Sequence, residues 1–282
     1  YKANLVAANM FSKMSFKGKK GDTLHIPKPT RGAASVKAAS TQVTLIAATE
    51  TEQQVLINKH YEYSRLIEDI VETQALASLR KFYTDDAGYA LAKQVDTDLI
   101  QLGRTVGSGT AYSTAASTTN AFIGSNGTTV YNSSSSNAAA LTDAGIRRSI
   151  QRLDDADVPM TDRCMIVPPS TRNVLMGIAR FTEQAFVGEQ GSANTIRNGM
   201  IGDIYGVMSY VSTNADSGAG SSGADRICLL AHKDAFVLAE QMGVRSQTQY
   251  KQEWLATLFT SDMLYGVAEL RDSSAVALAV PA

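Results

Sequence analysis

Apolar residues recur at helical spacing through one long stretch, and the other patterns of the chain fall on either side of it. Between Leu66 and Phe82, the residues Leu66, Ile67, Ile70, Val71, Leu79 and Phe82 share one broad face. A second run carries Leu91, Val95, Leu99 and Leu102 at spacings of four, four and three and stops at Gly103. Thr84 offers an N-cap hydroxyl ahead of it, and the charges of Asp85 and Asp86 suit the positive end of a helix. The spacing predicts a helix in two pieces, the second roughly 30 Å long at about 1.5 Å per residue. An apolar stripe of that length needs a sheet laid along it. Such a rod suits a structural backbone better than the wall of a pocket.

Ahead of the rod, residues 1–20 are polar and basic, with scattered Leu5, Val6, Met10, Phe11, Met14 and Phe16. These are too few for a separate core, so an arm packed on another surface is expected. Gly21-Asp22 marks a turn, and Thr23 to Ile26 reads as a short strand ended by Pro27 and Pro29. Residues 30–52 are rich in Ala, Ser and Thr. Val55, Ile57, Tyr61 and Tyr63 then alternate with Gln54, Asn58, His60 and Glu62, the pattern of a half-exposed strand. Together these segments predict a long hairpin, poor in apolar residues at its tip, that projects from the body.

Beyond the rod, residues 105–140 are rich in Ser, Thr, Gly and Ala. Ala121-Phe122-Ile123 and Thr129-Val130-Tyr131 flank Ser125-Asn126-Gly127, and Asn-Gly predicts a hairpin turn; the rest reads as loop. Thr142-Asp143 caps a helix through Ile146, Ile150 and Leu153. Met165-Ile166-Val167 is a buried strand stopped by Pro168-Pro169, after which Ser170 caps a helix containing Val174, Leu175, Ile178 and Phe181. Residues 204–211, 227–231, 236–238, 263–270 and 276–280 read as strands, and 217–223 as a flexible loop. Strands that do not alternate regularly with helices, without an internal repeat, give a mixed α+β protein.

Composition adds one asymmetry. The 282 residues are 44% hydrophobic and 19% charged, which is ordinary for a globular chain large enough for two lobes. The net charge of -1 says nothing, but its distribution does. Residues 1–45 hold eight basic side chains against the single acid Asp22, a net of +7, which leaves 18 basic and 26 acidic side chains, a net of -8, to the remainder. A basic arm on an acidic body binds either nucleic acid or the acidic body of an identical neighbour. Without interleaved aromatics or an arginine bias, the neighbour is the better reading. Lys13, Lys17, Lys19, Lys20, Lys28, Arg31 and Lys37 are therefore the candidate inter-subunit contacts.

Chemistry is sparse. No Walker-type glycine run ends in Lys-Ser/Thr, and the glycines at 103, 107 and 109 follow a helix rather than open one. His25, His60 and His232 lie far apart, and Asp154, Asp155 and Asp157 lack the glycine and closing glutamate of a calcium loop. There is no Gly-x-Ser-x-Gly elbow. Asp85-Asp86 and the Asp96/Asp98 pair sit where helix capping and solvation account for them. Cys164 and Cys228 lie within apolar runs and read as buried, reduced thiols. No apolar run approaches the ~18 residues of a membrane span, and no signal peptide is recognisable. Neither catalysis, a cofactor nor a metal is expected.

The order of elements resembles the major capsid proteins of tailed bacteriophages, with the Hong Kong 97-like fold, and their podovirus-like group in particular. The stretches that carry the resemblance are Gly21-Asp22-Thr23-Leu24-His25-Ile26-Pro27, residues 59–103 with Tyr83-Thr84-Asp85-Asp86-Ala87-Gly88, and Leu153-Asp154-Asp155-Ala156-Asp157-Val158-Pro159 leading to Val167-Pro168-Pro169. Ala231-His232-Lys233-Asp234-Ala235 and Leu264-Tyr265-Gly266-Val267-Ala268-Glu269-Leu270-Arg271 complete them. The resemblance implies an N-terminal arm (1–27), an extended-loop hairpin (28–63), a peripheral domain with the spine helix and a Ser-rich hairpin insertion (64–155), an axial domain (156–245) and C-terminal strands returning to both lobes (246–282). It implies self-assembly into hexamers and pentamers of an icosahedral virion shell, built in the host bacterial cytoplasm around double-stranded DNA held without sequence specificity. Scaffolding protein, portal and a decoration protein would be partners, with no membrane. The same fold also serves encapsulin-type nanocompartments. The Ser/Thr/Ala richness leaves an extracellular adhesin or surface-layer protein as the reading from another class.

Overall fold

The computed structural model describes residues 5–17, 20–29, 32–43, 45, 50–74, 79–178, 203–220 and 225–282. Helix α1 (Ala7–Met10) and strand β1 (Ser12–Ser15) form an arm, and β2 (Thr23–Pro29) with β3 (Glu50–Leu56) a hairpin. Next come β4 (Lys59–Glu68), α2 (Asp69–Gln74), the rod α3 (Leu79–Gln101), β5 (Phe122–Ile123), α4 (Asp143–Asp155), β6 (Arg163–Val167) and α5 (Pro169–Met176). The chain continues with β7 (Asp203–Ile204), β8 (Val207–Val211), β9 (Asp225–His232), β10 (Phe236–Lys251), β11 (Ala256–Glu269) and β12 (Ala275–Pro281). Among the described residues the strands form a sheet ordered β1-β10-β11-β4, a second ordered β5-β12-β9-β6-β8-β7, and the separate β2-β3 pair. The α+β expectation holds, and both larger sheets draw strands from distant parts of the chain.

The 23 residues of α3 run about 34 Å. Ala87, Leu91, Val95 and Leu99 recur every fourth position and are buried. Toward its C-terminal end the helix is enclosed on several sides, because the arm and both sheets converge there. Phe11, Leu229, Phe236 and Tyr265 join Val95 and Leu99 in one apolar cluster. The rod begins before its apparent capping signal. Thr84 lies inside α3, where its hydroxyl donates to the Arg80 carbonyl at 2.9 Å instead of capping. Asp86 accepts from the Tyr63 hydroxyl at 2.8 Å.

The first predicted helical piece is partly a strand. β4 continues to Glu68, so Ile67 is buried with Ala87 and Phe259 while its neighbour Leu66 faces outward. That period-two burial pairs the segment with β11 and overrides its helix-like spacing. Ile70, Val71 and Phe82, predicted on the buried face, are exposed. The predicted strand over 54–63 is likewise two strands: β3 stays in the hairpin, whereas β4 turns at Ile57-Asn58 to join β11. Pro27 does not end β2, which runs on to Pro29. Both prolines pair in register with Glu52 and Glu50 in a two-stranded ribbon, where a missing N–H can face the free edge.

The strands expected at 236–238 and 263–270 are the apolar roots of a much longer hairpin. Its outer half, Arg245 to Tyr250 on β10, is exposed and polar, which hid it from the hydrophobic pattern. Residues 204–211 divide at a Tyr205-Gly206 turn into β7 and β8. α5 is capped by Pro168 with Pro169 at its first position and ends at Met176. Ser170 instead donates to the Pro281 carbonyl at 3.2 Å, and Phe181 lies outside the described residues.

The Asn-Gly hairpin forms as predicted. The Ile123 N–H donates to the Thr129 carbonyl and the Tyr131 N–H to Ala121, around Gly127 at φ +61°. The segment around it, expected as loop, is tied down by Asn120. The Asn120 side chain accepts from the Tyr112 N–H at 3.0 Å and donates to the carbonyls of Gly103, Arg104 and Val106. Tyr112 and Tyr131 are fully buried there.

Candidate assembly surfaces

Two aspartates on the rod hold the arm, β4 and β11 against it. Asp96 is 0% exposed. Its Oδ1 accepts the backbone N–H groups of Val6 and Ala7 at 2.9 and 2.7 Å, and its Oδ2 accepts from Asn214 at 2.9 Å. Asp98, 5% exposed, accepts from the Tyr265 hydroxyl at 2.6 Å and from Gln94 at 3.1 Å, and pairs with Lys59 at 3.0 Å. The expectation that these aspartates are solvated is therefore overturned. They are the pins that hold the arm, β4 and β11 to α3. Burial, with Asp98 beside it, holds the Tyr265 phenol well above its ordinary range.

Further polar contacts tie neighbouring elements together. Arg104 grips Asp216 with two hydrogen bonds of 2.6 Å, and the Tyr112 hydroxyl donates to the same carboxylate at 3.0 Å. Tyr131 donates to Asp225 at 2.6 Å. Along the long hairpin Arg245 makes a bidentate pair with Asp262 at 3.0 and 2.7 Å, and His60 stands 3.2 Å from the same carboxylate. Arg245 first, then His60, keeps the Asp262 carboxyl below its usual range.

Outside this framework, large apolar side chains are exposed in three groups, with Leu56, Phe82 and Val244 exposed besides. Val36, Val43 and Leu45 stand in the segment between β2 and β3, where every described residue from 32 to 43 is exposed. A second group covers the far end of the long hairpin: Leu66, Ile70 and Val71 with Tyr250, Trp254 and Leu255. The Asp69 N–H donates to the Leu255 carbonyl, and Tyr250 donates to the Asp69 side chain at 2.9 Å, so the start of α2 and the hairpin tip form one patch. Trp254, the chain's single tryptophan, is 66% exposed within it. Met160, Met176, Tyr205 and Met208 form the third group, around the six-stranded sheet.

The candidate basic contacts are scattered rather than gathered. Lys17 pairs with Glu240 of its own chain at 3.4 Å, and Lys13 reaches Asn9 at 3.5 Å. Lys20, Lys28 and Lys37 are exposed. Lys19 and Arg31 lie outside the described residues. At Gly266 a Cβ would collide with the Leu56 carbonyl, so glycine at this position lets the root of the β2-β3 hairpin lie flat on β11.

A groove of about 500 Å³ between the arm and the six-stranded sheet is lined by Leu5, Met10, Cys164, Met208, Tyr210 and Lys233. Burial pushes the Cys164 and Cys228 thiols up to about 12, and both are free and buried, as their apolar contexts imply. Among the described residues no group of His, Cys, Asp and Glu is arranged to hold a metal, and no helix is long and apolar enough to cross a membrane.

The family model described as phage capsid protein matches residues 15–279. No curated protein matches the sequence. Among solved structures, a chain of Mycobacterium phage Che8 is 21% identical with a TM-score of 0.75, the match covering 99% of this chain and 92% of that one. A capsid chain of cyanophage P-SCSP1u is 16% identical at a TM-score of 0.74, covering 99% and 89%. The capsid asymmetric unit of cyanophage Pam1 gives 15%, 0.72, 96% and 88%. At these identities the structural likeness establishes the fold.

Proposed function

The chain belongs to the phage capsid protein family, and from that premise we propose how its copies meet. It is a structural major capsid protein of the Hong Kong 97-like fold that forms an icosahedral shell, and its place is the virion. The proposal concerns the arrangement within that shell. Subunits gather as hexamers and pentamers around double-stranded DNA held without sequence specificity, assembled in the host cytoplasm with scaffolding, portal and decoration proteins as partners. Residues 1–27 act as arm, 28–63 as extended loop, 64–155 and 156–245 as peripheral and axial regions, and 246–282 as strands serving both.

The observation that carries this reading is the concentration of exposed apolar side chains on projecting elements. Val36, Val43 and Leu45 on the hairpin, and Trp254 and Leu255 at the far tip, are side chains that a monomer leaves in water and a neighbour would cover. The basic side chains of Lys13, Lys20, Lys28 and Lys37 add attraction to an acidic neighbour. Neutralising Lys13, Lys20 and Lys37 together is expected to weaken assembly more at low than at high salt. A loss of the same size at all salt concentrations contradicts that role. Nuclease-protected DNA in purified particles tests the cargo: its presence supports the phage reading, and particles that hold only protein favour a nanocompartment of the same fold.

A further inference from the structure

Asn126-Gly127 shapes the turn of the short hairpin and also carries chemistry of its own. In an open chain, the backbone nitrogen after an asparagine can lose its proton and attack the side-chain carbonyl carbon. The bond from that carbon to Nδ2 breaks, ammonia leaves, and a five-membered succinimide remains. Water then opens the ring at either carbonyl, giving aspartate or isoaspartate. Glycine in the second position has no side chain to crowd the attack, and asparagine is for this reason a thermolabile residue.

The reaction needs a backbone amide free to lose its proton and a carboxamide free to turn toward it. Both are held. The Gly127 N–H donates to the Ile123 carbonyl at 3.0 Å. Asn126 Oδ1 accepts from the Thr128 and Thr129 N–H groups at 2.9 and 3.0 Å, and its Nδ2 donates to the Thr129 hydroxyl at 2.9 Å. The turn is itself braced by α4. The Thr142 hydroxyl donates to the Ser125 carbonyl, the Thr142 N–H to the Gly124 carbonyl at 3.3 Å, and Arg152 Nε to the Gly127 carbonyl at 3.1 Å. Contacts from α4 thus reach the backbone on both sides of Asn126.

We propose that Asn126 is a fold-gated deamidation site, silent while the hairpin is docked on α4 and reactive when it opens. A reaction confined to the open state runs at the open-chain rate multiplied by the open population. Isoaspartate formed before folding adds a backbone methylene between residues 126 and 127, and so breaks the spacing on which the Gly127–Ile123 and Ile123–Thr129 bonds depend. The site therefore records how long a chain has spent with this hairpin open. Its contacts lie within one chain, so the inference goes beyond the shell reading and stands whether or not shells form.

Peptide mass spectrometry of the full chain, incubated at mildly alkaline pH in native buffer and in urea, tests it. Asn198-Gly199, which lies outside the described residues, supplies the reference for an open Asn-Gly pair in urea. In urea, Asn126 is expected to deamidate at a rate comparable to Asn198. In native buffer its rate is expected to be lower by about tenfold or more. Thr129→Val removes the acceptor of Nδ2 and is expected to raise the native rate about two- to tenfold with the melting temperature unchanged. A native rate for Asn126 equal to its rate in urea overturns the gate, and so does a folded Thr129→Val variant that deamidates no faster than the wild type. If Thr129→Val does not fold, the wild-type comparison between native buffer and urea decides alone.

Discussion

Asp96 shows what a single side chain does in this molecule. Its carboxylate accepts two backbone N–H groups at the start of α1 and one side-chain amide from the turn after β8, all from inside the apolar cluster around α3. Asp96→Ala leaves the Val6 and Ala7 amides unpaired and is expected to cost about 2–5 kcal/mol and to free the arm. Chemical denaturation together with proteolysis of the arm checks this; a variant as stable as the parent would contradict the assignment. The two thiols give a second test at this scale. Burial holds them near 12, so neither Cys164 nor Cys228 is expected to react with a thiol reagent at about pH 8 until the protein is unfolded, when both should. Their burial was legible from the apolar runs around them. The roles of Asp96 and Asp98 were not, because an acid in a helix is ordinarily solvated. The one available signal was their position among Val95, Leu99 and Ile100, inside the stripe rather than opposite it.

At the scale of elements, what the sequence revealed depended on where burial was periodic. The spacing of Leu91, Val95, Leu99 and Leu102 placed the rod, Thr142 placed α4, and Asn126-Gly127 placed the short hairpin. Long strands were legible only at their apolar roots. β10 runs on past the core with exposed polar residues from Arg245 to Tyr250, and its pairing there comes from the backbone and the Arg245–Asp262 pair, while β11 keeps Phe259 buried against Ile67 and Ala87. Local spacing also misplaced Leu66 and Ile67 in a helix, since a strand against β11 buries one and frees the other. The β2-β3 hairpin owes its root to Val55 and Ile57, which pack with Phe16 and Val237, and its tip adds no buried apolar residue among those described. Replacing residues 32–49 with a short turn is therefore expected to leave the subunit folded, with an unchanged melting temperature, while abolishing shells. Unfolding would show that the tip supports the monomer core, and normal shells would show that neighbours do not need it.

Across the whole molecule, a pinned centre carries unfinished edges. Asp96, part-buried ion pairs and buried tyrosine–aspartate bonds join the arm, rod and sheets, whereas exposed apolar side chains include those of the hairpin tip, the Trp254 patch and residues around the six-stranded sheet. A monomer gains nothing from that distribution. A closed shell of identical subunits is expected to cover such edges with other parts of the same chain. The order of elements was enough to point to a phage capsid protein before any of these contacts was visible, because arm, hairpin and rod follow one another in the chain. Which copies meet was not legible, since the basic contacts are spread over the arm and hairpin and one of them, Lys17, is engaged within its own chain. The central claim is most directly tested by electron microscopy of the purified protein over a range of concentrations. Uniform icosahedral shells, or rings of five and six subunits that close into them, are the expected result; a protein that stays monomeric at every concentration would contradict it.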